Sequence, residues 1–170
     1  MNDNTKNTCC FSGYRPGKFT FELKDSSPEY LRLVRSVRQA VKDSAQAGYT
    51  RFLCGMAAGF DIICGEAVAW LKRSDLNFRF LSLVAVVPFL NHGSRGRVWG
   101  LRHSKLMEQA EETVYISMEY RPDCYRRRNR YMVDRSSRLI CYWDGERGGT
   151  ANTIAYARRS GMEEIINIAE

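Results

Sequence analysis

Between Phe78 and Phe89 the chain carries Leu81, Leu83, Val84, Ala85, Val86 and Val87 with almost no polar interruption, and this run constrains the fold more than any other segment. A strand with one wet face alternates apolar and polar residues. One that is apolar throughout has to be covered on both faces, as the strands of a parallel sheet are. Pro88, with no amide hydrogen to give a ladder, ends the run.

Shorter apolar segments read as further strands: Thr8 to Ser12, the stretch around Phe52 to Cys54, Thr113 to Ile116, Arg138 to Trp143 and Ile165 to Ile168. Helical patterns alternate with them. From Pro28 onward, Leu31, Val34, Val37, Val41 and Ala45 recur at spacings of three and four, and Gly48 closes the helix. Phe60 to Lys72 is apolar almost all round, which implies burial between the sheet and another layer. Leu101 to Gln109, Tyr125 to Ser136 and Ala151 to Arg159 complete the set. Such alternation predicts a parallel sheet with helices on both faces, in one domain spanning residues 1–170.

In that architecture the loops at the carboxyl ends of the strands gather on one edge, where ligands bind. Candidate loops are Ser12 to Gly17, carrying Gly13 and the cation Arg15; Gly55 to Asp61, with Ala57 and Gly59; and Gly148, Gly149 and Thr150, with Thr150 placed to cap a helix. Glycines let a ligand approach the main chain, and the helix starts behind them offer free N–H groups with roughly half a positive charge, a site suited to phosphate. Asp61 beside a phosphate would repel it, so it either caps the helix or accepts from hydroxyl groups of the ligand. Neither G-x-G-x-x-G nor G-x-x-x-x-G-K-[ST] occurs, which disfavours a dinucleotide-dependent dehydrogenase and a P-loop NTPase.

Six cysteines without C-x-x-C spacing, most of them in apolar runs, argue for a reducing cytoplasm and against a metal site. Met1 to Thr8 is polar, and no run approaches the roughly 20 apolar residues of a membrane span, so a cytoplasmic protein without membrane contact is expected. The net charge of +7 suits an anionic ligand or nucleic acid. Much of it lies between Arg121 and Arg138, where Tyr125 and Tyr131 interleave the arginines and Asn129 and Asp134 stand out as short polar groups able to read a ligand.

Taken together, Cys10-Phe11-Ser12-Gly13-Tyr14-Arg15-Pro16, Gly55-Met56-Ala57-Ala58-Gly59-Phe60-Asp61, Arg128-Asn129-Arg130-Tyr131-Met132-Val133-Asp134 and Gly148-Gly149-Thr150 resemble the YpsA-like family of the SLOG superfamily, over nearly the whole chain. The resemblance implies a Rossmann-like three-layer sandwich that binds a nucleotide-derived ligand, NAD or ADP-ribose among the candidates, as a bacterial cytosolic sensor or regulator that self-associates. Two departures stand out. The family often has Gly-His-Arg where this chain has Gly13-Tyr14-Arg15. The hydrolase branch of the superfamily has Pro-Gly-Gly-x-Gly-Thr-x-x-Glu, whereas Thr150 here is followed by Ala151, Asn152 and Thr153, with no carboxylate.

Two further readings compete with a binding protein. A nucleoside-phosphate N-glycosidase would use Glu66 or Asp61 to activate water, although five helical positions at about 100 degrees each set these carboxylates about 140 degrees apart. A single-strand nucleic-acid binder would use the arginines between Arg121 and Arg138.

Overall fold

In the computed structural model, which describes residues 3–169, the apolar run becomes a strand, Ser82–Val87, paired on both sides within one sheet. In chain order the strands are β1 (Thr8–Ser12), β2 (Arg51–Cys54), β3 (Ser82–Val87), β4 (Glu112–Tyr115), β5 (Arg138–Cys141) and β6 (Glu164–Asn167). The sheet order is β4-β3-β2-β1-β5-β6, and every pairing is parallel. The connecting helices are α1 (Pro28–Gln46), α2 (Phe60–Ser74), α3 (Arg97–Gln109), α4 (Cys124–Asp134) and α5 (Gly149–Arg159). This is a three-layer, Rossmann-like α/β fold.

Handedness explains the layers. From β1 to β4 the chain steps across the sheet in one direction, and from β4 through β5 to β6 it steps back in the other. Right-handed crossovers therefore put α1, α2 and α3 on one face and α4 and α5 on the opposite face. Successive strand residues divide between two cores accordingly. Phe52 and Cys54 belong to the cluster under α1 and α2, while Leu53 belongs to the one under α4 and α5. In β3 the same alternation sends Leu83, Ala85 and Val87 one way and Val84 and Val86 the other. All six cysteines are buried.

Some boundaries differ from those read in the sequence. Leu76–Phe78 is a single 3-10 turn, held where the Asp75 carboxylate accepts the Asn77 N–H at 3.0 Å, and Phe80 is left 57% exposed before β3 begins. Helix α3 starts four residues earlier than expected, at Arg97, because Gly96 takes a left-handed φ of 81° at its N-cap. Gly148, not Thr150, is the N-cap of α5; Thr150 lies buried in the first turn. Among the described residues no helix is long and apolar enough to cross a membrane, and no group of His, Cys, Asp or Glu is placed to hold a metal ion.

Candidate functional site

Strands β1 and β5 are neighbours, yet the chain leaves β1 toward β2 and β5 toward β6, so the loops above them part. A crevice opens at their carboxyl ends, as it does wherever strand order reverses. Ser12, Gly13 and Arg15 after β1, Ala57 and Asp61 after β2, Asn129 on α4, and Gly148, Gly149 and Thr150 after β5 surround one cavity of about 330 Å³ there. Segments far apart in sequence meet because the topology returns them to one edge.

The cavity is also lined by Tyr14, Lys18, Tyr125 and Arg128; the sequence points to Tyr125 and Arg128 only as part of a stretch suited to nucleic acid, and singles out neither Tyr14 nor Lys18 as part of a binding site. Arg128 is the central one. The residue is only 5% exposed, and its guanidinium donates from Nη1 to the Gly55 carbonyl and from Nε to Asn129 Oδ1 at 2.8 Å, and lies 3.9 Å from Asp61 Oδ2. A signal for it exists: Cys124, Arg128 and Met132 are spaced by four and all buried, so Arg128 occupies the inward stripe of α4. Among so many arginines the stripe is hard to see.

Asp61 is buried and accepts the Ala57 N–H at 3.4 Å. Burial pushes its carboxyl above the ordinary range, opposed by Arg128, the Ala57 N–H and Arg15. Tyr14 donates its hydroxyl to Asp144 Oδ1 across the crevice, and Lys18 Nζ donates to the Arg147 carbonyl at 2.9 Å, so the β1 loop grips the β5 loop from both sides. The Arg15 guanidinium lies 5.2 Å from the centre of the Tyr125 ring. With Asp61 already facing Arg128, the lining is net positive.

Other expected residues fall elsewhere. Gly55 packs beneath Asp61 and Arg128, where an added Cβ would come within 2.7 Å of Asp61 Oδ2. Gly59, at a φ of 94°, backs onto the β1 loop: a Cβ would meet the Tyr14 carbonyl oxygen at 2.5 Å, and that same oxygen accepts the Phe60 N–H at 3.0 Å. The start of α2 is thus filled by the chain itself. Asp134 is at the far end of α4, accepting from the Tyr156 hydroxyl at 2.8 Å, and lines a different hollow with Ser136 and Glu164.

Glu66 is bound by Arg102 through Nε at 2.8 Å and Nη2 at 2.6 Å, and the same Nη2 reaches the Tyr30 hydroxyl at 3.2 Å. Asp61 and Glu66 therefore keep separate partners, Arg128 for the first and Arg102 for the second. Thr153, where the hydrolase motif would place its glutamate, donates to the Gly149 carbonyl at 2.9 Å and accepts from Asn129 Nδ2 at 3.0 Å. It closes the first turn of α5.

Comparison with known proteins agrees with this architecture. The model of the YspA SLOG family matches residues 9–165. An uncharacterized SPbeta prophage-derived protein, YoqJ, from Bacillus subtilis (strain 168) is 25% identical over 126 residues, covering 65% of this chain and 70% of that protein. The crystal structure of DNA processing protein A (DprA) from Streptococcus pneumoniae superposes on 94% of this chain with a TM-score of 0.62 and 15% identity. This chain spans 49% of that protein's length.

Proposed function

The chain belongs to the YspA SLOG family, and from that premise we propose that it binds a nucleotide or nucleotide-derived ligand by its phosphate, in the crevice between β1 and β5. The observation that carries this reading is the meeting of Arg15, Lys18 and Arg128 with the start of α5 in one cavity. Helix α5 has Gly148 as its N-cap, with no side chain capping it, and its first N–H groups have no carbonyl partner within the helix. An anion there gains backbone hydrogen bonds, the helix dipole and nearby cations together.

Binding is tested by thermal unfolding against nucleoside phosphates, NAD, ADP-ribose and cyclic dinucleotides. A ligand present at 1,000 times its Kd stabilises by about 4 kcal/mol, or roughly 10 °C for a chain of this size. The shift should shrink in Arg15→Ala and Lys18→Ala. No shift with any compound overturns the reading.

A second reading has its own observation. Beside the first cavity, between α4 and α5, lies a groove of about 330 Å³ carrying Arg126, Arg130, Arg159 and Tyr156, which would suit single-stranded nucleic acid, and the similarity to DNA processing protein A supports it. It predicts oligonucleotide binding that weakens steeply with salt and falls when Arg126 and Arg130 become Gln. Equal binding by that double variant removes it.

A further inference from the structure

A separate compartment adjoins the anion cavity on the α3 side. It has a volume of about 540 Å³ and touches the loops after β1, β2 and β3. The two share Arg15 and Tyr125 as a common wall, and consecutive residues of the β2 loop face them: Ala57 the first, Ala58 the second. Phe89, His92, Trp99 and Tyr125 give the second compartment aromatic walls, and among the described residues no carboxylate lines it.

Its polar groups carry the argument. Four buried side-chain polar atoms lack a hydrogen-bond partner among the described residues, and three of them, His92 Nδ1, Ser94 Oγ and His103 Nε2, gather here. His92 and Ser94 line the compartment, and the His103 ring, only 6% exposed, stands 5.8 Å behind that of His92. Buried polar atoms are ordinarily satisfied, because leaving one unpaired costs about 1–3 kcal/mol. Burial, then Arg128, His103 and Arg15, holds the His92 ring down to about 4, so at neutral pH it is uncharged and presents one donor and one acceptor nitrogen. A flat group with donors and acceptors along its edge and apolar faces would offer partners to His92 and Ser94, which line the compartment, and fill the aromatic walls.

We infer that this compartment receives the nucleobase of the ligand, stacked against the aromatic walls and read at its edge by His92 and Ser94, while the phosphate lies in the crevice beyond Arg15 and Tyr125. The inference rests on the anion reading of the crevice and adds to it the class of group attached to the phosphate. A phosphate-bearing sugar without a base would occupy only the first cavity.

The experiment compares ribose 5-phosphate with AMP, GMP, CMP and UMP by calorimetry on the full chain. At least one nucleotide should bind about 10- to 100-fold more tightly than ribose 5-phosphate, the range that stacking of one base supplies. Trp99→Ala and His92→Ala should each narrow that ratio while leaving ribose 5-phosphate affinity unchanged. Equal affinity of ribose 5-phosphate and all four nucleotides leaves the anion cavity standing and overturns the base compartment alone. A ratio unmoved by both variants overturns it too. Failure of every compound to bind removes the anion reading, and this inference with it.

Discussion

Two strand-glycine-helix turns, one after β2 and one after β5, read alike in the sequence and are built differently. In the first, Gly59 presses on the β1 loop, the Tyr14 carbonyl takes the Phe60 N–H, and Arg128 fills the space beneath Asp61. In the second, an added Cβ at Gly149 would meet nothing within 4 Å, and Gly148 approaches only the end of Lys18. The first turn is a joint between parts of the chain, and the second is open to a visitor. Glycine allows both, so spacing alone cannot distinguish them.

Removing the cation from the closed turn should have the largest effect. Arg128→Met leaves Asp61 buried opposite no charge, which costs about 3–5 kcal/mol. The thermal midpoint should fall by roughly 10 °C, and adding Asp61→Leu should recover most of the loss. A single variant that melts like the wild type would show that Arg128 does not hold this turn.

Next in size is the contrast between the glycines themselves. Gly59→Ala imposes a Cβ at positive φ against a backbone oxygen, for about 2–3 kcal/mol of destabilisation. Gly149→Ala should leave stability unchanged or slightly improved, since alanine favours a helix, and should weaken binding of a nucleoside phosphate by about tenfold. The reverse pattern, a stable Gly59→Ala and an unfolded Gly149→Ala, would exchange the roles of the two turns.

The smallest effect concerns pH. His92 is held down to about 4 from an ordinary 6.5, so its unfolded form takes up a proton first. Its contribution to stability is complete above about pH 6.5 and is lost as pH falls toward 4. Asp61, pushed up by burial, acts in the opposite sense, so the comparison has to be made between variants. Urea midpoints at pH 7 and pH 5 should differ less in His92→Gln than in the wild type.

Much of the fold was legible because burial on both sheet faces leaves a one-dimensional trace. The run from Leu81 to Val87 needs no partner residue to be recognised as an inner strand. The site was legible only in part, since Ser12, Arg15, Asn129 and Thr150 meet through a crossover that no local pattern records. Arg128 lay hidden among neighbours of the same type, and Glu66 stood out on an apolar helix only because its partner, Arg102, is 36 positions away. Asp134 stands out in the sequence as a short polar group beside Asn129, but five positions of α4 carry it about 7.5 Å further along the axis, to a different hollow.

The six buried thiols give the molecule an internal clock. Burial, and for Cys9 the neighbouring Cys10, holds thiols such as Cys9 and Cys64 far above their usual range and Cys10 at about 12, so the reactive thiolate hardly forms while the chain is folded. An alkylating reagent can reach each of them only when the element that buries it opens. Its rate of incorporation, read cysteine by cysteine, would therefore time how often β1, β2, β5 and the helices α2 and α4 open, without any introduced probe.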